Sequence, residues 1–198
     1  MSATVTDGSH LRAECWTVDP IVDHADAASF VARVHYSRSA ANTSTYRHGL
    51  YRSGNDALRD LFGVALWQPP TRTAAESVAG ADWRGVLCLS RLALDPAVPT
   101  NGASFLLGRS MKLIDRDRWP VLLTYADTSH GHTGAIYKAT NWTCLGPSPA
   151  GDVWIGPNGE QRGRKRGGRT LTAAEMTAAG FTRLPSLPKI KFVHGATS

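Results

Sequence analysis

Apolar residues recur along this chain in two rhythms, and each rhythm marks a different kind of element. Ala27, Phe30, Val31 and Val34 fall at i, i+3, i+4 and i+7, which predicts an amphipathic helix from about Asp23 to His35. Leu107, Met111 and Ile114 recur at +4 and +3 and predict another over 104–116, closed by Trp119-Pro120. Short apolar runs at 13–18, Leu61–Trp67, Arg84–Leu94, Val121–Ala126 and Lys189–Val193 predict strands. The polar residues Ser129–His132 read as a tight turn, followed by a short helix over 133–141. Residues 68–82, with Pro69-Pro70, read as a loop, and Ser37 to Asp60 shows no clear period. An irregular stretch of that length inside a compact domain is more often functional than idle.

The last quarter is equally patterned. Val153-Trp154-Ile155 runs into Pro157-Asn158-Gly159, a hairpin signal, with a basic cluster on the returning arm. Thr172-x-x-Glu175 is a capping box, flanked by Leu171 and Met176 as its hydrophobic staple, and Gly180 ends that helix. Strands and helices are mixed throughout, so the expected class is α/β (α+β), a central mixed, twisted sheet flanked by helices. One domain over 1–198 is expected, its core at about 13–146, with hairpin, helix and final strand over 150–194.

Composition narrows the picture. At 198 residues and 42% hydrophobic, the chain can fill one substantial core. Its amino terminus has no apolar run, which predicts no secretory signal, and stretches such as Phe62–Trp67 are far too short to span a bilayer. Cys15, Cys88 and Cys144 form no CxxC pair, and reduced thiols in the cytoplasm suit them better than a disulfide framework or a zinc site. Charge adds more. Lys and Arg number 22 against 16 acids, and Arg162, Arg164, Lys165, Arg166 and Arg169 crowd into eight residues without an acid. Such a patch can neutralise phosphates; a solvated loop is an equally weighted alternative.

The order strand, Asn-Gly loop, helix, strand, helix over 84–141 presents a helix amino terminus after small residues, a natural seat for a pyrophosphate. It resembles the core of the GNAT acyltransferases, in which acyl-CoA lies between two diverging strands. That superfamily carries Gln or Arg, two residues, Gly, one residue, then Gly or Ala; here Pro99-Thr100-Asn101-Gly102-Ala103-Ser104 lacks the leading residue. The closer resemblance is to the Mom family of phage DNA-modification proteins, a divergent GNAT branch. It rests on His35-Tyr36, Arg91-Leu92, the run Asn101 to Gly108, Thr124-Tyr125-Ala126-Asp127, and Gly131 to Trp142 (GHTGAIYKATNW), together roughly residues 20–146.

The resemblance implies modification of the N6 amine of adenine, carbamoylmethylation-like, which protects DNA from host restriction. It implies a cytoplasmic setting in a phage-infected bacterium and double-stranded DNA as partner, the target adenine flipped out. An acyl-CoA or another small-molecule donor is expected, with ferrous iron entertained and a homodimer left open. Asp127, at the end of a buried strand, and His35 are candidates to activate the amine or to hold the metal. Capping of the next turn is the structural alternative for Asp127. His35 continues the apolar stripe of its helix, so a core histidine is the alternative there. Tyr36 and Tyr137 would assist proton transfer, although Tyr137 could equally fill core.

Arg91, Asn101, Gly102, Ala103 and Ser104 are read as the donor site, Arg91 through charge and Ser104 through its hydroxyl and the helix end. Arg38, Arg47, His48 and Arg52, interleaved with Tyr46 and Tyr51, are read as a surface for gripping nucleic acid, together with Arg162, Arg164, Lys165 and Arg166. His130 and His132 permit chelation, but no HxE or Cys partner supports a deaminase-type centre. Two rivals stand beside this reading: an N-acyltransferase acting on a protein or small-molecule amine, and a non-catalytic DNA-binding accessory protein.

Overall fold

Burial of one apolar stripe on α1 organises the first half of the molecule. In the computed structural model, residues 11–35, 44–53, 60–149, 152–159, 161–166, 168–185 and 187–195 are described. After β1 (Trp16–Pro20), Asp23 caps α1 (His24–Val34) by accepting from the Ala25 N–H at 2.8 Å. Ala27, Phe30 and Val31, the residues picked out by the helical period, are buried against Ile21, Val64, Leu66 and Ala93.

The sheet facing that stripe continues through β2 (Tyr46–Arg52) and β3 (Leu61–Gln68). After α2 (Arg72–Ala79) come β4 (Val86–Leu94), α3 (Gly102–Lys112) and β5 (Val121–Ala126). Next are α4 (Ala135–Ala139), β6 (Thr143–Pro147) and β7 (Asp152–Ile155). The two-residue strands β8 (Gln161–Arg162), β9 (Lys165–Arg166) and β10 (Arg169–Thr170) precede α5 (Ala173–Ala178). The strands β11 (Thr182–Pro185) and β12 (Ile190–His194) end the described chain. The main sheet is mixed and has seven strands in the order β1-β2-β3-β4-β5-β12-β6, flanked by helices. Among the described residues no helix is long and apolar enough to cross a membrane.

Two compact units share the chain: 1–124, 135–144 and 192–198 form the first, 125–134 and 145–191 the second. The second has its own small core of Trp154, Met176 and Phe181, with Leu171 packed on it. Burying each of those side chains contributes on the order of 1.5–3 kcal/mol. The expected hairpin is present: β7 pairs with β8 through Trp154 and Arg162, and β11 adds on the other side. The capping box forms in full, Thr172 accepting from the Glu175 N–H and Glu175 accepting from that of Thr172. Gly180 sits at φ +80, where α5 ends.

Two expectations change. The stretch 37–60, read as irregular, contains β2, which pairs antiparallel with both β1 and β3. The strand is hard to read because its buried residues are His48, Gly49 and Leu50, and a buried histidine counts as polar in any pattern. His48 is 2% exposed, and its Nδ1 lies 2.7 Å from the Ser110 hydroxyl, which also accepts from Trp67 Nε1 at 2.7 Å. With Trp67 donating to Ser110, the hydroxyl can still donate to His48 Nδ1 or accept from it, according to the tautomer. The stretch 68–82, read as a loop, carries α2, capped by Thr71 and buried only through Ala75, so no apolar stripe announces it.

Burial lowers the His48 pKa from 6.5 to about 4. The unfolded chain takes up this proton below about pH 6.5 while the folded one refuses it until about pH 4. Stability is therefore expected to fall across that window, by on the order of 3 kcal/mol. Urea unfolding of wild type and His48→Gln at several pH values tests this; equal slopes in both proteins would overturn it.

Candidate active site

In the first unit the distinctive feature is where two parallel strands stop pairing. β4 and β5 pair at Val86–Val121, Leu87–Leu122 and Cys88–Leu123, whereas β4 runs on to Leu94. The backbone groups so released need other partners. The buried Thr124 supplies one, its hydroxyl donating to the Leu89 carbonyl at 3.3 Å. On the other flank of β4 the register with β3 slips, Leu66 opposing Arg91 while Trp67 opposes Leu89. Ser90 is the extra residue of this bulge, and its hydroxyl donates to the Leu66 carbonyl at 3.1 Å.

The bulge re-aims the strand. In an unbroken alternation Arg91 and Cys88 would point to opposite faces; the inserted residue puts both on the face of Leu66. Arg91 also donates to the Ser90 carbonyl at 2.6 Å. Burial pushes the Cys88 thiol up to about 12, although the Arg91 charge pulls against it. Cys88 is thus an inert filler of the vertex.

The loop from β4 to α3 is shaped by three contacts. Asp95 Oδ1 accepts from the Ala97 N–H at 2.9 Å, the Val98 N–H donates to the Asp95 carbonyl at 3.0 Å, and the Gly102 N–H donates to the Pro99 carbonyl at 2.8 Å. Gly102 is needed for close approach, since a Cβ there would lie 2.1 Å from Val98 Cγ1. Asn101 stands at the N-cap but does not cap α3. Its carboxamide instead accepts from the Leu11 N–H and donates to the Leu11 carbonyl at 3.3 Å. The Ala103 and Ser104 amides therefore have no capping partner among the described residues. The Ser104 hydroxyl donates to the Asn101 carbonyl at 2.9 Å. Of the five residues expected to bind a donor, Asn101 and Gly102 build the loop. Arg91 lies on β4 beyond its last pair with β5, on the Leu66 face, while Ala103 and Ser104 offer backbone N–H groups in the first turn of α3.

Tyr137, on α4, is half-buried with its ring 5.8 Å from that of Trp142 and 5.1 Å from that of Phe192. Trp142 also stacks on Trp67 at 6.4 Å and meets His194 at 5.7 Å. Sequence reading marked Trp142 only as part of a motif; its indole is 5% exposed and frames Tyr137. His35 closes α1, its N–H donating to the Val31 carbonyl at 2.9 Å, and its side chain is half-buried. Tyr36 and Arg38 lie outside the described residues. Tyr46, Arg47 and Arg52 stand on β2, not on a loop. Arg47 donates back to the carbonyls of Ser44 (3.2 Å) and Ile21 (3.4 Å), while the exposed Arg52 lies over the Trp16 ring at 5.8 Å.

In the second unit Asp127 organises a turn. It accepts from the N–H and the hydroxyl of Ser129, and its carbonyl accepts from the N–H groups of His130 and His132, both at 3.2 Å. Its other carboxylate oxygen pairs with Lys189 Nζ at 2.9 Å, a partner that nothing in the sequence flagged. The strap carrying Lys189 is pinned twice more, by Thr128 donating to the Pro188 carbonyl and Ser148 to that of Lys189. Burial pulls the Asp127 pKa upward, but the Ser129 hydrogen bonds and Lys189 outweigh it and bring the group to about 2. Such a carboxylate stays ionised and orients donors well, but it is a weak proton acceptor.

The metal expectation for His35 and Asp127 finds no support among the described residues. Among the described residues no three His, Cys, Asp or Glu side chains gather where they could hold a metal ion. Asp127 already spends its oxygens on Lys189 and Ser129. The basic cluster, by contrast, is exposed at Arg162, Lys165 and Arg169 and half-exposed at Arg164.

Residues 16–177 match the model of the Mom protein family. No curated protein matches the chain. Among solved structures, the ribosomal-protein-alanine N-acetyltransferase of Escherichia coli superposes with a TM-score of 0.50 at 11% identity, covering 92% of this chain and 95% of that one. A point mutant of the spermidine N-acetyltransferase of Vibrio cholerae gives 0.51 at 8% identity, covering 92% and 94%. At such identities the likeness is one of fold, and the GNAT-like mixed sheet expected from the sequence is the one observed.

Two substitutions check the geometry. Gly102→Ala is expected to cost about 1–3 kcal/mol through overpacking against Val98; an unchanged urea midpoint would contradict the close approach. Lys189→Met is expected to raise the Asp127 pKa from about 2 toward 3.8. Carboxyl-carbon NMR titration reads it directly, and an unmoved midpoint would assign the depression to Ser129 alone.

Proposed function

The chain belongs to the Mom protein family, and we propose that it is a transferase that places a carbamoylmethyl-like group on the N6 amine of adenine in DNA, shielding that DNA from restriction. The observation that carries the reading is the uncapped amino end of α3, beside the β4–β5 split, in a chain of this family. Unpaired N–H groups and the positive end of the helix dipole suit the diphosphate of an acyl-CoA or of another small-molecule donor. Arg91, re-aimed by the bulge, adds charge, and the Ser104 N–H adds a donor.

The N6 nitrogen attacks the methylene carbon of a donor that bears an activated carbamoylmethyl group. A C–N bond forms as the bond from that carbon to the leaving group breaks, and the electron pair goes to the leaving group; attack on an acyl-CoA thioester would give an amide instead. N6 then gives up one proton. Because the adenine lone pair is delocalised into the ring, orientation and proton removal carry much of the barrier. Tyr137, fixed by its aromatic frame, would protonate the leaving group. His35, with Tyr36, would take the N6 proton. Asp127 would act as an ionised hydrogen-bond acceptor, a role drawn from the family motif and from its lowered pKa. Flipping of the target base would free its amine from pairing.

Nucleoside mass spectrometry of plasmid from expressing cells tests the reading. Wild type is expected to give an N6-modified deoxyadenosine and resistance to restriction at adenine-containing sites. Tyr137→Phe is expected to lower the yield at least tenfold with an unchanged fold. Unmodified DNA from cells containing folded protein would sink the proposal. DNA-independent turnover of acetyl-CoA would turn the reading to an ordinary N-acyltransferase.

A further inference from the structure

The basic cluster of the second unit has a shape as well as a charge. β9 and β10 pair antiparallel, Lys165 opposite Thr170 and Arg166 opposite Arg169, as a two-stranded ribbon separate from the neighbouring three-stranded sheet. Residues 161–170 contain no acid. The root of this ribbon is fastened. The Leu171 N–H donates to the Arg164 carbonyl at 2.8 Å, and Leu171 packs against the core of Trp154, Met176 and Phe181. Glu175 adds a clamp: one oxygen takes Arg169 at 2.7 Å, while the other accepts from the N–H and hydroxyl of Thr172 at the start of α5. Arg169 is thus spent on holding the ribbon, leaving Arg162, Arg164 and Lys165, with Arg166 next to them in the sequence, to meet a partner.

We propose that this ribbon is an arm that lies in the major groove of B-form duplex DNA, with Glu175 as the positioning residue that sets its angle. The proposal rests on the reading that DNA is the substrate and adds the surface, the groove and the form of the duplex. Arg162, Arg164, Lys165 and Arg166 put four positive charges into five residues without an acid, and phosphates on both groove walls would relieve their mutual repulsion. A two-stranded ribbon fits the major groove of B-DNA, whereas that of an A-form RNA duplex is too narrow and deep to admit one. The major groove is also the one that displays the N6 edge of adenine.

Fluorescence anisotropy with a 20-base-pair DNA duplex tests the arm. Four phosphate contacts predict a log–log salt slope of roughly −3.6, and so a loss of affinity on the order of 100-fold between 50 and 200 mM salt. The variant with Arg162, Arg164, Lys165 and Arg166 all changed to Gln should lose most of that slope, and Lys165→Glu alone should weaken binding at least fivefold. Glu175→Gln should weaken binding with the ribbon charges intact, and Glu175→Asp should restore part of it. An RNA duplex of the same sequence should bind at least tenfold more weakly. Glucosylated hydroxymethylcytosine, which fills the major groove, should block binding, and netropsin in the minor groove should not.

Displacement by netropsin, equal affinity for RNA, or an unchanged slope in the fourfold variant would each overturn the arm. Tight groove binding without any modified base would leave the arm standing and defeat the proposed chemistry. Modified DNA made equally well by the fourfold variant would do the reverse.

Discussion

Every backbone amide and carbonyl in a folded chain needs a partner, and the first unit is built around a place where the sheet withholds them. Two parallel strands begin as a pair at Val86 and Val121 and separate after Cys88 and Leu123. A sheet that opens in this way must be held open, because re-pairing would recover the lost hydrogen bonds. Thr124 holds one carbonyl with its hydroxyl, and Ser90 turns the outer flank through a bulge. Pro96 and Pro99, which lack an N–H, help keep the following loop out of the ladder. The two side chains that hold the opening by hydrogen bonds, Thr124 and Ser90, are therefore small and polar.

The division of labour between opening and chemistry explains what was legible from the sequence. Elements buried on one stripe or in one run, such as α1, β3, β5 and α3, declare themselves through apolar spacing. β2 did not, because a histidine, a glycine and a leucine fill its buried positions, and the histidine is tolerable there only through Ser110, more than sixty residues away in sequence. α2, β6 and β11 escaped because exposed residues dominate them and no period forms. Long-range polar satisfaction is invisible to any local pattern.

The same limit applies to the candidate site. The motifs marked Asp127, Tyr137 and the Asn-Gly loop by identity, yet their physical states depend on remote residues. Lys189 and Ser129 fix the charge of Asp127, while Trp142 and Phe192 fix the ring of Tyr137. Gly102, read as part of the donor site, also lets Val98 approach closely. A motif thus names the atoms in the chemistry, and the surrounding packing decides their protonation and aim.

Asn101 carries a consequence of a different kind. Its carboxamide has one task at a time: it can stay with Leu11, ninety positions earlier in the chain, or it can turn inward and satisfy the first amides of its own helix. Those amides are the ones an anion would use. The tether at Leu11 therefore acts as a competitor for the cap, and by winning it keeps the helix end hungry for negative charge. The anion seat is in this sense an exclusive choice, made by a residue far away along the chain.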